Sequence, residues 1–160
     1  NARICASRGE FNLSHFVVTD AHNQALANDQ DRKEHVRTRL LEELDDPNDY
    51  LDIIQRRTPR QLKHFSFPTE VTFSNDMINQ RTVLEVVTPD RPGLLARIGQ
   101  ILLSHELSLI TARIATLGER VEDVFFLSDK NGQPLGEASL CESLQHEICT
   151  QLDDQVEINQ

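Results

Sequence analysis

Apolar and polar positions in the second half of the chain follow two periods, which predict alternating strands and helices. The segment 81–88, RTVLEVVT, carries mostly β-branched residues and predicts a strand that is largely buried. The segment 90–104 predicts an amphipathic helix, whose apolar stripe comprises Leu94, Leu95, Ile98, Ile101 and Leu102. Two further strands are predicted at 109–117 and 121–128, with a Gly-Glu turn between them.

The last part of the chain completes this unit. Apolar residues at steps of four predict a helix at 136–152, and a short strand is predicted at 155–158. The order strand, helix, strand, strand, helix, strand predicts an α+β fold of the split βαβ, or ferredoxin-like, type. In such a fold, four antiparallel strands form one sheet and two helices cover one of its faces.

An internal repeat relates the start of the chain to this unit. Three consecutive residues match first: Ala2, Arg3 and Ile4 with Ala112, Arg113 and Ile114. After a one-residue slip, six more positions match: Gly9, Glu10, Phe16, Asp20, Gln24 and Leu26 with Gly118, Glu119, Phe125, Asp129, Gln133 and Leu135. A repeat of this kind indicates two copies of one supersecondary unit.

The first copy is expected to be incomplete, because the chain opens inside its hairpin. A helix is predicted at 29–44 with Asn28 as its N-cap, and its inward-facing residues are Val36, Leu40, Leu41 and Leu44. A strand at 69–74 would close this copy. We therefore divide the chain into an incomplete first domain at 1–74, a linker at 75–80 and a complete second domain at 81–160. The unpaired strands of the first copy should recruit another chain, which predicts a homo-oligomer.

The charge balance excludes several classes of partner. The 160 residues include 26 acidic and 16 basic ones, which gives a formal net charge of −10. This balance opposes binding to nucleic acid and docking on an anionic membrane surface. There is no run of 18 apolar residues that would span a bilayer. Cys141 and Cys149 lie too far apart on a predicted helix for a disulfide, and Cys5 is expected to be buried, which indicates reduced thiols in a cytoplasmic protein.

The candidate ligand site is the loop between the first strand and the first helix of the second copy. We expect Asp90 to cap the helix and Gly93 to let a ligand approach the backbone closely. The free N–H groups at the helix start would hold a carboxylate, while Asp90 or a backbone carbonyl would take an ammonium group. The candidate ligand-binding residues are Thr88, Pro89, Asp90, Arg91, Gly93, Leu94 and Leu95. An ordinary capped helix start is the alternative interpretation.

The sequence gives little support for a second ligand site, a metal site or a catalytic site. Arg3 and Arg113 recur in the repeat and would suit a ligand carboxylate, although strand arginines are more often surface groups. His146 and Cys149 supply two soft ligands, which do not complete a zinc site. No nucleophile–base pair or glycine-rich phosphate loop is present, so we predict neither a catalytic nor a metal site in this chain.

The loop and its surroundings resemble the ACT domain, a regulatory module that senses amino acids. The segment VVTPDRPGLLARIGQILLSHELSLITARIATLGERVEDVFFLSD carries the resemblance, and residues 1–74 resemble a second such domain without its first strand and helix. The closer resemblance is to the family of bifunctional uridylyltransferase/uridylyl-removing enzymes, which carry two ACT domains at their C-terminal end. PRQLKHFSFPTEVTFSND is similar to the junction between those two domains. Such pairs often have Asn at the position of Thr111.

The resemblance implies a sensor rather than a catalyst. In that family, one nucleotidyltransferase domain adds UMP to the nitrogen-signalling protein PII and one hydrolase domain removes it. The implied ligand is glutamine, the implied partners are the catalytic domains of the parent chain and, indirectly, PII, and the parent enzyme is expected to need Mg. No cofactor is implied for the chain itself. The alternatives are an ACT-type dimerisation module without ligand and the regulatory tail of an amino-acid biosynthetic enzyme.

Overall fold

The computed structural model describes residues 2–5, 13–17, 29–45 and 67–153. Three helices lie in these ranges: α1 at Gln30–Asp45, α2 at Leu94–Ser104 and α3 at Ala138–Asp153. Seven strands form one antiparallel sheet: β1 at Ala2–Cys5, β2 at Leu13–Phe16, β3 at Glu70–Asp76, β4 at Arg81–Pro89, β5 at Ser108–Ile114, β6 at Thr116–Leu117 and β7 at Arg120–Ser128.

The second copy has the predicted ferredoxin-like arrangement. Its strands run in the order β5, β7, β4, β3, and every neighbouring pair is antiparallel. The β4–β7 pairing extends from Thr82 opposite Leu127 to Pro89 opposite Arg120. The turn between β6 and β7 is the predicted Gly-Glu pair, with Gly118 at a φ of +65°. The α+β class is therefore confirmed.

The core lies between the sheet and the two helices. Alternate residues of β4 and β7 turn towards α2 and α3, so that Leu84 lies opposite Phe125 and both are buried. The helices supply the remaining buried aliphatic side chains: Leu94, Ile98, Ile101, Leu102, Leu144, Ile148 and Leu152. Each such side chain contributes about 1.5–3 kcal/mol by leaving water, which makes this layer the main source of stability.

The strand at Glu70–Asp76 has a different partner from the predicted one. It was predicted to close the first copy, but it pairs along its whole length with β4, from Glu70 opposite Val87 to Asp76 opposite Arg81. The first two residues of the predicted linker 75–80 belong to β3, and the others form a tight turn, while the division into two domains stays a prediction. β3 occupies the edge that a ferredoxin-like sheet gives to its own last strand. The predicted strand at 155–158 lies outside the described residues.

The hairpin of the first copy extends the same sheet from the opposite edge. β1 pairs antiparallel with β5, and Arg3 lies directly opposite Arg113. Because these two residues are equivalent in the repeat, the pairing is locally two-fold symmetric. The hydroxyl of Thr111 donates a hydrogen bond of 2.6 Å to the carbonyl of Ile4 across this junction. The hairpin of the first copy thus has one strand partner within the chain, in β5, and the homo-oligomer stays a prediction.

The helix α1 begins one residue later than predicted. Asp29 caps it, since its Oδ1 accepts the N–H of Arg32 at 2.9 Å. Its apolar residues were predicted to face inward, but they are 41–70% exposed: Val36, Leu40, Leu41 and Leu44. Of the helices that the structure describes, none is long and apolar enough to cross a membrane.

Replacing Thr111 by Val should loosen the junction between the two copies. The substitution removes the hydroxyl donor to the Ile4 carbonyl at nearly constant volume, which should cost about 1 kcal/mol. Amide hydrogen exchange should speed up in β1 and β2 and remain unchanged in β4 and β7.

Thr72→Val is the matched control, because its hydroxyl bonds only the exposed Glu85 side chain at 3.2 Å. Equal exchange rates in β1 for both variants would contradict a role for Thr111 in holding the hairpin.

Candidate ligand site

A pocket of about 330 Å³ opens where the β4–α2 loop meets the ends of β5, β6 and β7. This volume suits a small metabolite. Its lining combines loop and helix residues with three strands: Asp90, Arg91, Gly93, Leu94, Leu95, Ala96, Ile114, Thr116, Val121 and Asp123. Aliphatic side chains thus form most of the wall, and two carboxylates stand among them.

The loop is held by its backbone and turned by a glycine. The N–H of Asp90 donates to the carbonyl of Glu119 at 2.8 Å, which ties the loop to the β6–β7 turn. Gly93 has a φ of +79° and is the N-cap of α2, and no side chain caps this helix. The prediction that Asp90 caps a helix starting at residue 90 is therefore wrong. The chain needs a left-handed residue to turn from β4 into α2, and that residue sets the helix start.

The helix start leaves several backbone donors free. The N–H of Leu94, which was predicted to bind the ligand, donates to the carbonyl of Arg91 at 3.3 Å. Among the residues that the structure describes, the N–H groups of Gly93, Leu95 and Ala96 have no acceptor. These three residues line the pocket, so a carboxylate placed there would meet unsatisfied donors at the positive end of a helix dipole.

Asp123 is the most unusual residue of the pocket. It lies in β7 on the helix-facing side and is only 1% exposed. Its Oδ1 accepts the N–H of Ala115 at 3.2 Å, while its Oδ2 is buried and has no hydrogen-bond partner within the described ranges. Burial raises the pKa of this carboxyl to about 6, the Ala115 bond opposes the shift and the nearby Asp90 adds to it.

Sequence reasoning missed Asp123, although a signal was present. In β7 every second residue enters the core: Val121, Asp123, Phe125 and Leu127. An acidic residue at a core-facing position of a strand destabilises the fold unless another group compensates its buried charge. That alternation would have distinguished Asp123 from its exposed acidic neighbours.

Five of the seven predicted site residues line the pocket, and two do not. Thr88 and Pro89 are buried elsewhere, and the hydroxyl of Thr88 lies 2.9 Å from that of Thr69. Arg91 lines the pocket, but its guanidinium donates to the carbonyl of Leu152 at the end of α3. Its side chain therefore serves the C-terminal end of a helix, where a cation is favoured. Burial lowers the pKa of Arg91.

The other candidate residues lie outside this pocket. The guanidinium of Arg113 stacks on the ring of Phe126 at 5.6 Å, beside that of Arg81 at 4.1 Å. Phe126 alternates with the core residues of β7, so both arginines lie on the sheet face that the helices leave open. In the described part of the chain, no group of three His, Cys, Asp or Glu residues is arranged to hold a metal ion.

The comparison with known families agrees with this geometry. The family model of the ACT domain matches residues 82–140, which run from β4 into α3. The chain contains an ACT domain. The pocket lies at the β4–α2 loop of this ACT domain, and β3, whose residues precede the matched range, completes its sheet.

Beyond the ACT domain itself, nearly the whole chain is similar to one kind of enzyme. It is 50% identical over 98% of its length to the bifunctional uridylyltransferase/uridylyl-removing enzyme of Stutzerimonas stutzeri. The corresponding enzymes of Azotobacter vinelandii and Pseudomonas fluorescens are 51% and 53% identical over 96% and 95% of the chain. The chain spans 17% of the length of these curated relatives and matches their C-terminal region. No solved structure matches significantly.

Replacing Gly93 by Ala should destabilise the ACT domain. At a φ of +79° an Ala side chain costs about 1–2 kcal/mol, which exceeds what the higher helix propensity of Ala can contribute at this position. Gly99→Ala is the matched control, since it lies inside α2 and its new Cβ would meet no heavy atom within 4 Å. That variant should gain up to about 1 kcal/mol. Denaturant unfolding checks both, and equal stabilities would contradict the strained turn.

The stability of the chain should depend on pH through Asp123. Its pKa rises from 3.8 to about 6 on folding, so ionisation is penalised in the folded state only. The penalty is absent below pH 4 and complete above pH 6. Relative to Asp123→Asn, the free energy of unfolding of the parent chain should therefore fall by about 3 kcal/mol as pH rises through this window. A constant difference between the two proteins from pH 4 to 7 would contradict the assignment.

Proposed function

We propose that this chain is a regulatory segment that senses glutamine on behalf of a bifunctional uridylyltransferase/uridylyl-removing enzyme. Its ligand site is the pocket at the start of α2. In this proposal, catalytic domains elsewhere in the parent chain add UMP to protein PII and remove it. The parent enzyme needs Mg and acts in the cytoplasm. The chain itself contributes no catalytic residue.

The charges around the pocket carry this proposal. An α-amino acid presents a carboxylate and an ammonium group on the same carbon atom. The free N–H groups of Leu95 and Ala96 suit the carboxylate, and the side chain of Asp90, which lines the same pocket and forms no side-chain hydrogen bond within the described residues, suits the ammonium. The similarity to enzymes with uridylyltransferase and uridylyl-removing activity supports glutamine as the amino acid.

A continuous set of contacts leads from the pocket to the segment before β3. Arg91 and Arg97 donate to the last carbonyls of α3, those of Leu152 and Gln151. The next residue, Asp153, accepts the hydroxyl of Thr69 at 2.6 Å. Thr69 immediately precedes β3, so a change in the loop has a packed route to the start of the edge strand β3. Regulation requires that glutamine favours one arrangement of this network over another.

Association is the second candidate function, and one observation favours it. The exposed apolar stripe of α1 has no covering element within the described residues, and its members are Val36, Leu40, Leu41 and Leu44. An exposed apolar stripe of this kind is typical of a protein–protein interface. Association and ligand binding are compatible, since the stripe and the pocket involve different elements.

Glutamine should stabilise the full chain against thermal unfolding. At 100 times its Kd, a ligand that binds only the folded state adds about 2.7 kcal/mol to the free energy of unfolding. Leu95→Arg should abolish the shift in Tm, because the new side chain fills the pocket and neutralises its carboxylates.

Leu103→Arg is the matched control, since Leu103 is an exposed leucine of the same helix outside the pocket lining. A folded parent chain without any shift at millimolar glutamine would refute the proposed ligand. Retention of the shift in Leu95→Arg would place the site elsewhere.

A further inference from the structure

One carboxylate oxygen in the pocket has no structural explanation. The Oδ2 atom of Asp123 is buried and has no donor among the described residues, and Asp123 is one of the residues that line the mostly aliphatic cavity. A buried acceptor without a donor is costly, and the raised pKa of this carboxyl reflects that cost. The other oxygen has a partner in the N–H of Ala115, so the side chain is held in place while its Oδ2 remains available.

We propose that Oδ2 of Asp123 accepts an N–H from the side-chain carboxamide of the ligand, and that this contact selects glutamine over glutamate. The inference rests on the proposed function, because it assigns a role to one residue of that same pocket. It concerns specificity: the backbone donors at the helix start recognise any amino acid, whereas Asp123 distinguishes the side chains.

The position of the polar groups assigns the carboxamide, rather than the ammonium, to Asp123. The α-carboxylate and α-ammonium groups of an amino acid are bonded to one carbon, so both lie near the start of α2. Asp90 is in the loop next to that helix start and is partly exposed. Asp123 is in the neighbouring strand β7 and is nearly inaccessible. The aliphatic walls at Ile114 and Val121 suit the methylene groups that join the two ends of the ligand.

The charge of the pocket opposes a second carboxylate. Asp90 and Asp123 both line it, and the negative charge of Asp90 adds to the raised pKa of Asp123. The one cationic side chain among the lining residues that the structure describes is Arg91, which donates to the carbonyl of Leu152. The γ-carboxylate of glutamate would therefore meet a like charge without a counter-ion, whereas a carboxamide supplies the missing donor.

Isothermal titration calorimetry of the full chain with three ligands tests this assignment. Glutamine donates from its side chain, glutamate carries a charge there, and the γ-methyl ester of glutamate is neutral but cannot donate. The parent chain should bind glutamine roughly 10- to 100-fold more tightly than either of the others, as expected for a hydrogen bond to a charged group. An ester that binds as tightly as glutamine would overturn the inference without any variant.

Two variants that each remove one negative charge from β7 complete the experiment. Asp123→Asn should lower the preference for glutamine over glutamate roughly tenfold or more, because Asn no longer repels a carboxylate. Glu122→Gln should leave the preference unchanged, since Glu122 is a partly exposed residue paired with Arg120 at 2.7 Å and does not line the pocket.

The remaining outcomes separate this inference from the proposed function. An equal weakening of all three ligands in Asp123→Asn would assign the residue to the ammonium group and overturn the inference. An unchanged preference would overturn it as well. A folded parent chain that binds no glutamine would instead refute the proposed function, and the inference with it.

Discussion

The pairing of β4 on both of its sides is the constraint on which the rest of the structure depends. This strand is paired on both sides, with β7 and with β3, so its backbone groups are satisfied only when all three strands are in register. Its alternate side chains then form the floor on which α2 and α3 pack. The loop that leaves its end lines the pocket, so the geometry of the site depends on a strand that is paired on both sides.

The sequence predicted the elements of this unit much better than their partners. The strands around Leu84 and Phe125 and the helix around Ile98 follow from local periodicity. The structure has both strands within one residue of the predicted bounds, whereas the helix begins at Leu94, four residues later than predicted. The pairing of β3 with β4, and of β1 with β5, depends on edges that are distant in sequence. A repeat suggests that each copy closes on itself, but an exposed edge pairs with the nearest compatible strand, whichever copy supplies it.

The candidate site, like the strand pairing, was predicted only as far as local sequence patterns allow. The loop was located correctly as a turn into a helix, since Pro and Gly mark it, but the roles of its residues depended on contacts that no local pattern contains. The N-cap of α2 is Gly93 and not Asp90, because the backbone needs a positive φ at the start of this helix. The guanidinium of Arg91 could bind a ligand carboxylate, but it donates instead to the carbonyl of Leu152 at the end of α3. Whether a polar residue is free for a ligand is decided by tertiary packing.

Arg91 and Asp123 have complementary consequences for how the domain would respond to a ligand. Arg91 joins the pocket to α3 and, through Asp153, to Thr69, so the loop cannot move without disturbing that end of the helix. Asp123 leaves an unsatisfied charge beside the loop, which destabilises the empty arrangement at neutral pH. A ligand that supplies the missing donor would remove this penalty while it contacts the loop. The free energy of binding would therefore act on the residues that connect the pocket to α3 and to the start of β3, and such a connection is the condition for transmitting occupancy beyond the pocket.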